Sequence, residues 1–151
     1  MSGIEVRAAR AADEPAWREL WDAYCVFYEA SIPEDVTSGT WQRILEPRDP
    51  IEGLVAQRDD GTIVGLVNCV LHPTTWDLSD TCYLEDLFVS PDARGSGAGR
   101  ALIDAVLERA RSRGLRAVYW HTRSDNARAR ALYDSFAPAD DFVRYVVTRP
   151  A

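Results

Sequence analysis

The sequence predicts an α/β fold in a single domain spanning residues 1–151, with a mixed central β-sheet flanked by helices. Three observations predict it. The first half reads as a strand, a helical region and an antiparallel meander, and beyond about residue 90 the pattern changes to alternating helix and strand. A strand, crossover helix and strand imply parallel neighbours joined right-handedly, so the sheet combines both pairing modes. At 151 residues and 46% hydrophobic content the chain can also build one core without metal or disulfide staples.

Each element has its own signal. Ile4 to Ala8 alternates apolar and polar residues as a short strand does, and Asp13, Glu14 and Pro15 mark a helix start. In the helix that follows, Trp17, Leu20, Trp21, Tyr24, Cys25 and Tyr28 recur at three- and four-residue spacing and define one face. A second helix is expected from Val36 to Leu45, between Pro33 and Pro47. Ile51 to Gln57 and Thr62 to Leu71 are β-branched, apolar runs joined through Asp59, Asp60 and Gly61, the pattern of a hairpin. After a connection from His72 to Asp80, Thr81 to Ser90 reads as a strand. Ala98 to Ser112 then reads as helix, Leu115 to His121 as strand, Asn126 to Phe136 as helix and Phe142 to Val147 as a last strand.

Composition excludes several function classes. No stretch approaches the roughly 18 consecutive apolar residues that span a bilayer, and the N-terminus lacks a signal-peptide pattern, so no membrane partner is expected and the protein is expected to be soluble and cytoplasmic. Cys25, Cys69 and Cys82 form no CxxC pair and are odd in number, which argues against a disulfide framework. His72 and His121 have no Cys or His at metal-ligand spacing, so no metal is expected. All 17 basic residues are Arg, so the Lys of a Walker A loop is missing. The net charge of -7 is divided unevenly: residues 1–93 carry 6 Arg against 18 acids, and residues 94–151 carry 11 Arg against 6. An acidic half suits a cationic substrate and a basic half a polyanionic cofactor, and no run of like charge is long enough for a nucleic-acid arm.

Chemistry concentrates in the segment Val89-Ser90-Pro91-Asp92-Ala93-Arg94-Gly95-Ser96-Gly97-Ala98-Gly99-Arg100, between a predicted strand and a predicted helix. Alternate glycines let the backbone turn tightly and approach a ligand, and a helix start offers unpaired N–H groups with a partial positive charge. A pyrophosphate fits such a site, with Arg94 and Arg100 placed to add charge-assisted hydrogen bonds. A dinucleotide fold uses similar glycines, but after its first strand and with an acid ending the next one. Here the loop follows the fourth strand and the next ends in Trp120, His121 and Thr122, which disfavours nicotinamide cofactors. A purely structural glycine turn stays open at this point.

Arg94-x-x-Gly97-x-Gly99, opening a helix after Tyr83 to Val89, resembles the phosphate loop of the GNAT superfamily of acetyl-CoA-dependent N-acetyltransferases. Downstream, Asn126-x-x-Ala129-x-x-Leu132-Tyr133-x-x-Phe136 is similar to that family's helix beside the cofactor. Tyr83-Leu84-Glu85-Asp86-Leu87-Phe88-Val89 and Val118-Tyr119-Trp120-His121-Thr122 look like the spermidine/spermine and histone/polyamine acetyltransferase-like branch. The pattern departs after Phe136, where Ala137-Pro138-Ala139-Asp140-Asp141 replaces the usual Gly-Phe and leads to one final strand. An open sheet edge is a pairing liability, so a homodimer covering it is expected.

The resemblance implies acetyl transfer to a primary amine by direct attack in a ternary complex. An alkyl ammonium of pKa ~10.4 is only about one part in a thousand nucleophilic at neutral pH, so a base helps. Glu85 is the first candidate, directly or through water, with Asp86 a substrate-binding candidate. Alternation puts the two on opposite faces unless a bulge intervenes; the resemblance implies a bulge and spacing alone does not. By resemblance, backbone N–H groups around Leu87, Phe88 and Val89 would bind pantetheine and the acetyl oxygen, and Gly95, Ser96, Ala98 and their neighbours the diphosphate. Asn126 would orient the cofactor and Tyr133 would protonate its sulfur. Trp21, Tyr24, Tyr28 and Trp76 are candidate walls of the acceptor pocket. A covalent Cys82 intermediate is the alternative route, without an evident activating His. A CoA-binding module without turnover is the rival reading. Polyamines or small amino compounds are the first acceptor expectation, with amino acids, aminoglycosides and protein lysines open.

Overall fold

In the computed structural model, which describes residues 3–150, the strands follow chain order across the sheet. Strand β1 (Ile4–Ala8) pairs antiparallel with β2 (Ile51–Arg58), β2 with β3 (Ile63–His72), and β3 with β4 (Thr81–Val89). Strand β5 (Val118–Tyr119) lies parallel to β4, reached through helix α3 (Ala98–Arg113). The predicted mixed sheet flanked by helices is the one observed. Two compact units divide the chain, one ending at His121 and the other beginning at Thr122.

The aromatic stripe explains one layer. Helix α1 (Glu14–Phe27) and helix α2 (Glu34–Leu45) bury Trp17, Leu20, Trp21, Trp41 and Ile44 against Val55, Leu66 and Phe88 of the sheet. Trp17 is fully buried, stacked on Trp21 at 5.4 Å and tilted against Trp41 at 5.0 Å. Side chains of this kind contribute ~1.5–3 kcal/mol each when removed from water. Asp13 is not the cap its sequence position suggests: its carboxylate takes the Arg7 guanidinium at 2.7 and 2.9 Å and the Arg10 N–H at 2.8 Å, tying β1 to the start of α1. The Arg7 hydrogen bond holds the Asp13 carboxyl below its ordinary range, outweighing the effect of burial.

Helix α3 covers the other face with Leu102, Ile103, Val106 and Ala110. It comes so close to β3 that a Cβ at Gly65 would lie 3.1 Å from Leu102 Cδ1 and 3.2 Å from the Phe88 carbonyl oxygen. Arg113, at its C-terminal end, clasps Glu52 of β2 at 2.7 and 2.8 Å.

Several expectations change. The fifth strand is limited to Val118–Tyr119 rather than the predicted Leu115 to His121, because its ladder with β4 joins only Cys82 to Val118 and Tyr83 to Tyr119. Helix α2 starts at Glu34, two residues early, where the Pro33 carbonyl accepts from the Val36 and Thr37 N–H groups. In the second unit, helix α4 covers Ala127–Tyr133 and stops short of Phe136. The predicted strand from Phe142 to Val147 does not form. Phe142, Val143, Tyr145, Val146 and Val147 are exposed, so the β-branched run buries neither face, and strand propensity without burial or a paired neighbour does not hold a strand.

Candidate active site

The decisive local feature lies in the middle of β4. Its register with β3 runs from His72↔Thr81 to Cys69↔Leu84, then shifts, resuming at Asn68↔Asp86 and continuing to Gly65↔Val89. Glu85 is thus the additional residue of a β-bulge, and Glu85 and Asp86 together oppose Asn68. The shift reverses the alternation of β4. Cys82 faces the α3 side, where it lines a small cavity with Val106 and Ala110, whereas Phe88 belongs to the layer under α1 and α2. The two carboxylates, opposed on a regular strand, come to one face.

Asp86 is the more enclosed of the pair. It accepts hydrogen bonds from Asn68 Nδ2 at 3.2 Å and from the Tyr24 hydroxyl. Burial pushes its pKa up, and these two bonds work against that rise. Tyr24 is held protonated well above the ordinary phenol range, by burial first and then by the charge of Asp86, with Glu85 adding to it. Both carboxylates therefore act on the same phenol. Glu85 itself is exposed.

Around this group α1 supplies rings. Tyr24 stacks on Trp21 at 5.4 Å, tilts against Tyr28 at 4.8 Å and meets Phe88 edge-on at 6.1 Å. Trp21 is a core residue, Tyr24 is half-buried, and Tyr28 is 39% exposed, so the stripe runs from core to accessible surface within two turns. Trp76 is not brought to this group; its ring sits under the Arg116 guanidinium and is 80% exposed. Asn68, by contrast, escaped the sequence reading. Its signal was a lone amide inside the apolar run Leu66-Val67-Asn68-Cys69-Val70, and its buried Oδ1 has no hydrogen-bond partner among the described residues.

At the other end of β4 the chain passes a single 3-10 turn, Pro91–Ala93, and enters the glycine segment. Gly95 and Gly97 hold φ of 85° and 89°, left-handed values that glycine adopts freely, and a Cβ on either would meet nothing within 4 Å. Helix α3 begins at Ala98, so the N–H groups of its first turn lack carbonyl partners within the helix, and the Ala98 N–H donates to Ser96 Oγ at 3.4 Å. Arg94 lies over the Phe88 ring at 5.7 Å and donates to the Val89 carbonyl at 3.4 Å. Arg100 stands in the first turn of α3 and is exposed.

Among the described residues β5 pairs only with Cys82 and Tyr83. The Ser90 N–H donates to Val64 of β3, and alternation then directs the Phe88 and Asp86 amides to β3 and those of Leu87 and Val89 the other way. Leu87 and Val89, rather than Phe88, direct their N–H donors away from β3. Phe88 contributes its ring to the core.

In the second unit, Asn126 caps α4, its Oδ1 accepting from the Ala129 N–H at 3.3 Å while its Nδ2 donates to Thr122 Oγ1 at 3.2 Å. Tyr133 ends the helix half-buried, and its carbonyl accepts from Phe136 and Ala137.

A helix start preceded by left-handed glycines, reached from a bulged strand that carries two carboxylates, is an arrangement that fits the diphosphate of a group-transfer donor. Residues 13–137 match the model of the Acetyltransferase (GNAT) family, and the chain belongs to that family. It is 36% identical over 143 residues to the D-amino-acid N-acetyltransferase HPA3 of Saccharomyces cerevisiae, covering 94% of this chain and 89% of that protein. It is 34% identical to the mycothiol acetyltransferase of Cellulomonas flavigena over 87% of this chain but 39% of that longer protein. Among solved structures, the ribosomal-protein-alanine N-acetyltransferase of Brucella melitensis biovar Abortus 2308 superposes with a TM-score of 0.78 at 24% identity, over 97% of this chain and 99% of that one. AAC(6')-Iy in complex with a CoA-linked bisubstrate analog gives 0.81 at 21%, with the same coverage. The family uses acetyl-CoA, and the glycine turn fits its diphosphate: the backbone is bare and the α3 start is cationic in character. No helix among the described residues is long and apolar enough to cross a membrane.

Proposed function

We propose that this N-acetyltransferase acts on the primary amine of a small cationic molecule, a polyamine or amino compound, by direct attack in a ternary complex. The observation that carries the reading is the bulge, which places Glu85 and Asp86 on one face of the strand that leads to the glycine turn. Acetyl-CoA, when bound, supplies the activated thioester. The backbone from Gly95 through Ser96, Gly97, Ala98 and Gly99 to Arg100 would hold its diphosphate, with the Arg94 and Arg100 guanidiniums as counter-charges. The Leu87 and Val89 N–H groups would bind pantetheine and the acetyl oxygen.

Glu85 takes the proton from the acceptor ammonium, directly or through water, and its exposure suits a group that must exchange protons with solvent. Asp86, fixed by Asn68 and Tyr24, attracts and orients that ammonium. Tyr24 and Tyr28 form the accessible wall of the acceptor pocket, backed by Trp21. Tyr133 gives the proton of its hydroxyl to the departing sulfur, and Asn126 holds the start of its helix. The relative named for D-amino acids supports a small-molecule acceptor over a protein lysine.

Acceptor identity is tested by measuring free thiol released from acetyl-CoA against a panel of polyamines, amino acids, aminoglycosides and lysine peptides. Release on small cationic amines is the expected result; CoA binding without release on any amine overturns the reading. Tyr133→Phe should lower kcat while leaving acetyl-CoA affinity nearly intact, and an unchanged rate removes it from the mechanism. We also propose a cytoplasmic homodimer. The exposed apolar run from Phe142 to Val147 supports a second copy as its cover. Light scattering across a concentration series checks it, a monomer at all concentrations being the adverse result.

A further inference from the structure

On the same face as Glu85 and Asp86, towards the start of β4, lies a cluster of four rings, those of His72, Tyr83, Tyr119 and His121. In the β3–β4 register Asn68, Val70 and His72 oppose Asp86, Tyr83 and Thr81, so His72 and Tyr83 share the face of the carboxylate pair. Tyr119 of β5 sits in register beside Tyr83, and the two rings stack at 5.0 Å with an interplanar angle of 20°. His121 tilts against Tyr83 at 5.4 Å and meets Tyr119 edge-on at 5.9 Å. His72 meets Tyr119 edge-on at 5.7 Å.

Hydrogen bonds lock these rings. His72 Nδ1 is 2.9 Å from the Pro73 carbonyl, which can only accept, so that nitrogen carries a proton and donates. In the neutral ring Nε2 then accepts from the Tyr119 hydroxyl at 2.7 Å. His121 Nδ1 holds the Tyr83 hydroxyl at 3.3 Å. Yet Tyr119 remains 37% exposed, so the cluster is open to solvent at this residue. Burial pushes the Tyr119 pKa up, with smaller contributions in the same direction from Cys82 and then Glu85. Aromatic faces beside carboxylates attract cations and repel anions.

We propose that the Tyr83–Tyr119 stack, held by His72 and His121, is a platform for a second ammonium group of the acceptor, so that diamino molecules are preferred over monoamines and neutral amino acids. This rests on the preceding reading, in which the first amine reacts beside Glu85. A neutral amino acid would set its carboxylate against Glu85, Asp86 and the π faces, whereas a diamine offers a cation to each end of the site.

The test compares kcat/KM for a homologous series of α,ω-diamines with n-alkylamines of equal length, in the wild type, Tyr119→Leu and Tyr119→Phe. The diamine-to-monoamine ratio should exceed unity in the wild type, fall by about 3- to 30-fold in Tyr119→Leu, and be largely kept in Tyr119→Phe, which retains the ring face. Calorimetric titration of diamine into CoA-saturated protein gives a readout independent of turnover, and the same Tyr119 dependence is expected. Acetylation without diamine preference, or an unchanged ratio in Tyr119→Leu, overturns the platform and leaves the acetyl-transfer reading standing. Tyr119-dependent diamine binding with no acetylation of any amine does the reverse. Loss of the preference in Tyr119→Phe assigns recognition to the hydroxyl and also overturns the platform.

Discussion

Glu85 and Asp86 are chemically similar neighbours that the backbone sends into different surroundings. Glu85 is exposed and suited to proton exchange; Asp86 is enclosed and donated to by Tyr24 and Asn68. Glu85→Gln is expected to lower kcat/KM by about 10² or more, with acetyl-CoA affinity retained. Steady-state kinetics across pH check it. Asp86 and Asp13 give opposite stability signatures. A raised folded pKa means that Asp86 opposes folding as it ionises, so its contribution falls as pH rises from the ordinary 3.8 through the raised value. Asp13, with a lowered pKa, contributes stability that is present above 3.8 and lost as pH falls through its depressed value. Urea unfolding against pH should therefore show Asp86→Asn flattening the decline above 3.8 and Asp13→Asn removing the loss below it. At neutral pH, Asp13→Asn should be destabilised by about 3 kcal/mol, since it leaves the largely buried Arg7 without its ion partner.

For the elements, legibility depended on whether burial agreed with pattern. The α1 stripe, the β2–β3 hairpin and the α3 start were readable because periodicity, turn residues and glycines all pointed the same way. Phe142 to Val147 misled because β-branched residues describe what a strand can accept, not whether a neighbour is present to pair with it. In the site, the glycine turn was legible from spacing, whereas the bulge at Glu85 was not, since an inserted residue looks like any other until its register partners are known. Asn68 and the Tyr83–Tyr119 stack were invisible for the same reason: each depends on which strands lie side by side. The glycine turn carries its own prediction. Gly97→Ala meets no steric obstacle but must hold φ near 89°, costing about 1 kcal/mol and weakening acetyl-CoA binding, while Gly97→Glu should abolish it by placing a carboxylate at the phosphate position. Calorimetry with CoA measures both.

For the molecule, two helical layers share one sheet, and the second is seated by a missing side chain. Gly65→Ala would push a methyl against Leu102 and the Phe88 carbonyl, moving α3 from β3 and β4 together. Denaturant unfolding should show a loss of about 1–3 kcal/mol. Because Phe88 also underlies Arg94 and Tyr24, part of that strain should reach the site, raising KM for acetyl-CoA as well as lowering stability.

The single supernumerary residue at position 85 has one more consequence, for heredity rather than chemistry. Tolerance to polar substitution along β4 should follow one odd–even rhythm before Glu85 and its inverse after it, like a melody that slips a beat. Loss of that one codon would leave every other pairing of β4 with β3 in place and remove only the extra carboxylate, whereas loss of a codon on either side of it would send the residues beyond to the opposite layer, so deletions should be purged more harshly beside position 85 than at it.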